Sequence, residues 1–153
     1  MLAVGDKAPE FSLDNLDGGK QSLSELLHQG PVLLVFFKVS CPVCQLALPF
    51  LDRIGKGSLP VVAISQDNES ATRQFHRTYG ISLSTLLDRN ENRYQASNGF
   101  GIQHVPAVFL IEPEGTISSA FDGFRKADLE SIGRRSGVAT FLETEAVPAW
   151  KAG

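Results

Sequence analysis

The chain has 153 residues, 42% of them hydrophobic and 20% charged, with a formal net charge of −3. That length suits one domain with an ordinary core, and the slight acidity argues against nucleic acid or an anionic membrane as the main partner. No apolar run reaches the roughly 18 residues a membrane span needs.

Read in chain order, Phe11-Ser12-Leu13 alternates as a short strand, and Asp14 to Gly19 is a turn cluster. Ser22 with Glu25 three residues later has the capping-box spacing and opens a short helix through Leu23, Leu26 and Leu27. Gly30-Pro31 ends it. Pro31 to Phe37 is apolar and rich in β-branched and aromatic residues, the pattern of an interior strand. From Gln45 to Ile54, Leu48, Leu51 and Ile54 fall along one side of a helix. Leu59 to Ser65 reads as a second buried strand, and Asn68 or Ser70 starts a helix that Gly80 stops near Tyr79. Leu86 to Asp88 is a short extended piece, and Tyr94 to Ala96 is a helical turn.

The last third changes character. Ala107 to Ile111 and Thr116 to Ala120 flank the tight turn Glu112-Pro113-Glu114-Gly115 as a hairpin, and Asp128 opens a final helix. The domain is expected to span 1–142, with 143–153 as a tail of the mobile kind usual at termini. Strands alternating with helices, then a hairpin and a closing helix, imply a mixed α/β sheet with helices on both faces.

The chemistry centres on Cys41-Pro42-Val43-Cys44, which holds the only two cysteines. The pair sits between the interior strand and the helix, and the helix N-terminus favours a thiolate on the outer sulfur. Pro42 fits the first helical turn, where its missing N–H costs nothing, and Pro49 is expected to kink the helix or end it. A structural zinc site needs four ligands, and His28, His76 and His104 are not paired at ligand spacing, so no metal is expected. Phe75, Tyr79, Phe109, Phe121 and Phe124 read as core, His28 and His76 as helix-surface residues, and Arg73, Arg77, Arg89 and Arg93 as solvated faces.

Together these residues resemble a thioredoxin-like fold, and more narrowly the TlpA/ResA kind of thiol–disulfide oxidoreductase within the redoxin (AhpC/TSA) superfamily. The residues that carry it are Val4-Gly5-Asp6-Lys7-Ala8-Pro9-Glu10-Phe11, Val35-Phe36-Phe37 before the cysteines, Pro49, Val105-Pro106, and Glu112 to Gly115. The likeness covers roughly residues 5 to 133. It implies a mixed central β-sheet flanked by helices, with an added N-terminal β-hairpin. It also implies catalysis by Cys41 and Cys44, with Pro42, Val43, Val105 and Pro106 as substrate-binding or supporting residues. In that family the residue matching Pro106 is cis and packs on the disulfide, so that Val105 offers its backbone to a substrate segment.

Departures from the family pattern are specific. Ser40 stands where a Trp is usual, Val35 where thioredoxins bury an Asp, and Ala47 where ResA-like proteins carry a Glu. Protons of the resolving thiol must therefore pass to water or to a residue distant in sequence, or turnover is slow. Lys38 is a further candidate for tuning Cys41. The expected partners are disulfide-bearing proteins or small thiol substrates and an external thiol reductant, with no cofactor and a monomeric chain. Two alternatives stay open: a peroxiredoxin-like thiol peroxidase using Cys44, and a copper chaperone using Cys41, Cys44 and His104. The N-terminus shows no basic-then-apolar signal, which leads to the expectation of a cytoplasmic protein, or a periplasmic or membrane-tethered one for a chain trimmed of its export signal.

Overall fold

The structure, a computed structural model, describes residues 1–153. In chain order the elements are β1 (Ser12–Asn15), β2 (Lys20–Ser22), α1 (Leu23–Leu27), β3 (Val32–Phe37), α2 (Pro42–Ile54), β4 (Val61–Ser65) and α3 (Glu69–Tyr79). There follow β5 (Ser84–Leu87), α4 (Gln95–Gly99), β6 (Ala107–Ile111), β7 (Ile117–Asp122), β8 (Phe124–Arg125), α5 (Lys126–Ser136) and β9 (Trp150–Lys151).

Seven strands form one sheet in the order β2-β1-β5-β4-β3-β6-β7, with β8 and β9 as a separate pair. The central β3 runs parallel to β4, with Val35 opposite Ala63, and antiparallel to β6, with Val35 opposite Val108. The N-terminal hairpin β1–β2 joins through β5. This is a mixed sheet with the hairpin that the family resemblance implies.

Alternation along β3 builds two cores. Leu33, Val35 and Phe37 face α2, α3 and α5, where Leu48, Leu51, Phe75, Leu129 and Ile132 are buried. Leu34 and Phe36 face the other way, against Leu23, Ala96, Phe100 and Phe109. Every residue of β3 is buried because helices cover both faces, which is why that strand reads as an unbroken apolar run.

The helix signals operate as read. Ser22 Oγ accepts from the Glu25 N–H while Glu25 Oε1 accepts from the Ser22 N–H, closing the capping box. Asn68 caps α3 through the Ala71 N–H, and Gly80 ends it at φ 66°, in the left-handed region. Pro49 lies inside α2, which continues five residues past it to Ile54. His76 is half-buried rather than on an open helix surface. The Thr85 hydroxyl donates to the Leu83 carbonyl and accepts from His76 Nε2 at 2.7 Å, and burial lowers the His76 pKa.

Two terminal details differ from the sequence reading. Helix α5 begins at Lys126, two residues before Asp128. Residues 143–153 are docked: Arg53 holds both carboxylate oxygens of Glu145 at 2.7 and 2.9 Å, Lys126 N–H donates to the Ala149 carbonyl, and β9 pairs with β8. The segment lacks apolar periodicity because an ion pair and a two-residue bridge hold it, and neither leaves a local pattern.

Candidate active site

The site lies where the chain leaves the carboxyl ends of the parallel strands β3 and β4, the crevice that open α/β sheets reserve for ligands. After Phe37 the loop Lys38–Ser40 carries the chain to α2. Its middle residue is held from two sides: Val39 N–H donates to Asp67 Oδ2 at 2.8 Å, and the Val39 carbonyl accepts from Gln45 Nε2 at 3.0 Å. Asp67 is itself set by its N–H donating to Ser65 Oγ at 3.1 Å. This brace puts Cys41 at the N-cap of α2 with extended backbone, and Pro42 occupies the first helical turn where no N–H is needed.

Cys41 Sγ accepts from the Cys44 N–H at 3.1 Å, so the outer sulfur caps the helix itself. Its own S–H donates to the Val105 carbonyl at 3.4 Å. Cys41 is half-buried, whereas Cys44 is 0% exposed. Both are free thiols, so this is the reduced form of the pair. Burial pushes the Cys44 thiol up, with the Cys41 side chain and the Asp67 charge adding in the same direction. The two sulfurs therefore occupy different surroundings: one is reachable, the other kept as a neutral thiol in the core.

Val105–Pro106 is a cis peptide, and it brings the Val105 carbonyl against Cys41. Pro106 is buried and Val105 half-buried; the Pro106 carbonyl accepts from the Gly123 N–H at 2.8 Å. Val43 is buried in the same core cluster as Cys44, and Pro42 is exposed. The docked C-terminal segment reaches this point too. A Cβ on Gly153 would fall on the Val105 carbonyl oxygen, so backbone meets backbone there.

His104 is exposed on the preceding loop, and no group of three or more His, Cys, Asp or Glu side chains is placed to hold a metal ion. Cys41, Cys44 and His104 are thus not gathered into one three-residue ligand group. Two participants were not read from the sequence. Asp67 is the charge felt at Cys44, and Gln45 braces the loop. A signal for Asp67 existed: it follows the end of a strand parallel and adjacent to β3, where loops converge.

Similarity to known proteins matches this geometry. The chain is 26% identical over 141 residues to the thiol-disulfide oxidoreductase ResA of Geobacillus thermodenitrificans (strain NG80-2), covering 86% of this chain and 79% of that one. It is 30% identical over 133 residues to a Helicobacter pylori (strain ATCC 700392 / 26695) protein classed as a peroxiredoxin, bcp, covering 78% of this chain and 88% of that one. The thioredoxin domain of a thiol-disulfide oxidoreductase from Bacteroides vulgatus superposes with a TM-score of 0.77 at 21% identity, covering 88% of this chain and 98% of that one, which shows that the fold is thioredoxin-like. Residues 4–120 match the family model described as AhpC/TSA, and the chain belongs to the AhpC/TSA family.

Proposed function

We propose that this chain is a thiol–disulfide oxidoreductase whose dithiol, Cys41 and Cys44, reduces the disulfides of protein substrates. The observation that carries the reading is the asymmetry of the pair. A reachable sulfur caps a helix beside the Val105 carbonyl, and a fully buried thiol waits one turn further in.

The chemistry follows from that asymmetry. Cys41, as the thiolate, attacks one sulfur of a substrate disulfide. The substrate S–S bond breaks, its other sulfur leaves as a thiolate and takes up a proton, and Cys41 is joined to substrate as a mixed disulfide. The helix N-terminus and the Val105 backbone lie beside the reacting sulfur; Gly153 covers the Val105 carbonyl, so an extended substrate segment pairs with that backbone by displacing the C-terminus. Cys44 then loses its proton and attacks Cys41 Sγ; the mixed disulfide breaks and the second substrate thiol departs. Two electrons have moved to the substrate and the pair is closed. An external thiol reductant, returning two electrons and two protons, reopens it.

The peroxiredoxin relative supports a second reading, in which Cys44 is oxidised by peroxide. The site is poorly arranged for it. A peroxidatic sulfur must be a thiolate that peroxide can reach, and Cys44 is 0% exposed with its thiol pushed up by burial.

Equilibration in glutathione redox buffers with thiol titration, paired with an insulin-disulfide reduction assay, tests the proposal. It expects a reversible two-electron couple, lost in Cys41→Ser and in Cys44→Ser, together with insulin turnover. Intact insulin alongside rapid oxidation of Cys44 by hydrogen peroxide would transfer the assignment to the peroxidase.

A further inference from the structure

Against Val105 lies a cavity of about 250 Å³ that the dithiol chemistry does not use. Val105 forms one wall, so the cavity opens next to the backbone that receives the Cys41 S–H. Lys38, Gln66, Tyr94, Asn98 and Gln103 supply most of the rest. It is smaller than the roughly 300–1,000 Å³ of sites for drug-sized ligands, which fits it to a fragment of one or two amino-acid residues.

Its lining is polar and carries a single sign of charge. Lys38 is the only charged residue in the wall, no carboxylate faces it there, and its ammonium belongs to none of the chain's ion pairs. The side-chain amides are partly set in advance. Gln66 Nε2 donates to Ser97 Oγ at 2.8 Å, which leaves its carbonyl oxygen to accept from a ligand N–H. Ser97 is fixed in turn by the buried Asp88 carboxylate.

A second observation is independent of the cavity. Arg93 and Tyr94 adopt φ of 58° and 48°, two successive non-glycine residues in the left-handed region, a conformation that costs energy and marks functional sites. Asn98 Nδ2 donates to the Arg93 carbonyl at 2.8 Å and holds that bend. The bend delivers Tyr94 to the cavity wall.

We infer that this cavity is a substrate subsite, and that it selects cysteine disulfides carrying a carboxylate and an amide within a residue or two of the sulfur. The inference rests on the oxidoreductase reading above and names its substrate class. Lys38 meets the carboxylate, Gln66 and Gln103 meet the amide, and the disulfide sulfur then lies over Cys41. A free peptidic disulfide and an acidic segment of a protein share this chemistry.

Single-turnover kinetics of the prereduced chain tests it, because the dithiol itself supplies both electrons. The probes are oxidised glutathione, which brings carboxylates and amides, cystamine, which brings ammonium groups, and insulin. The wild-type chain should oxidise faster with oxidised glutathione than with cystamine by about two- to five-fold, the range an exposed ion pair supplies, and added salt should shrink the ratio. Lys38→Gln should bring the ratio near one, and Gln103→Glu, which places a carboxylate in the wall, should invert it. If insulin is reduced at the wild-type rate by Lys38→Gln, the source is a free peptidic disulfide; if insulin falls in step with oxidised glutathione, it is an acidic protein segment. A wild-type ratio near one, or a ratio unmoved by both substitutions, overturns the subsite while leaving the oxidoreductase intact. A chain that oxidises with none of the three probes overturns both.

Discussion

Asp88 offers a quantitative test of how the cavity wall is built. Its side chain is 0% exposed, and its carboxylate accepts from the Ala96 N–H at 3.2 Å, the Ser97 N–H at 2.7 Å and the Ser97 hydroxyl at 2.6 Å. The two amides belong to the first turn of α4, whose own N-cap residue, Tyr94, makes no side-chain capping bond. Asp88→Ala leaves three donors unpaired in a site where water has little access. At about 1–3 kcal/mol for each stranded donor, with some relaxation, the cost is about 3–5 kcal/mol. For a domain of this size that lowers Tm by about 10–15 °C. Asp88→Asn keeps one acceptor but turns an amide N–H toward another donor, so it should fall between the two. Urea unfolding followed by circular dichroism, with thermal melts in parallel, measures both variants. If Asp88→Ala unfolds within about 1 kcal/mol of the parent, Asp88 does not hold α4, and the orientation assigned to Ser97 and Gln66 fails with it.

Other perturbations have equally definite outcomes. In the reduced native chain, iodoacetamide should label Cys41 first and reach Cys44 only in guanidinium, because Cys44 is 0% exposed; peptide mapping showing equal labelling would contradict the site as described. Arg135 holds Glu112 in a two-pronged ion pair at 2.6 and 2.7 Å, and this, with Ser118, lowers the carboxyl from its ordinary 4.5 to about 2. A depressed carboxylate stabilises fully above pH 4.5 and loses that stabilisation as pH falls toward 2. With Arg135 42% exposed, the contribution is about 1 kcal/mol, and Glu112→Gln should flatten the stability profile by that much between those pH values. Gly133→Ala should destabilise by about 1–3 kcal/mol in denaturant titrations, since a Cβ there meets Thr140 Oγ1 and the Val138 carbonyl.

Local chemistry explains what could be read before the fold was known. The run Val32–Phe37, the Cys41-Pro42-Val43-Cys44 junction, the Ser22–Glu25 box and the Asn68 and Gly80 caps each encode their role within a few residues, and the structure places them accordingly. Family resemblance added the cis Val105–Pro106 bond, which composition has no means of indicating. Long-range pairings stayed hidden. Glu145 lies 92 residues from Arg53 and Asp67 lies 28 from Val39, so no periodicity links them. Pro49 was ambiguous for a different reason: a proline removes one helix bond wherever it sits, and only the packing of Leu51 and Ile54 in the core decides that α2 continues. The cavity leaves no local signal because its wall comes from helix α4 and three separate loops, each of which looks like ordinary polar surface alone.

The two sulfurs divide the labour of exchange, and trapping tests that division most directly. Cys44→Ser and Cys41→Ser, each prereduced, are mixed with a disulfide-bearing protein and examined by intact-mass and peptide analysis without reductant. The division predicts a stable one-to-one mixed disulfide through Cys41 in Cys44→Ser, and no adduct in Cys41→Ser. An adduct through Cys44 in Cys41→Ser, or none in either variant, would contradict it.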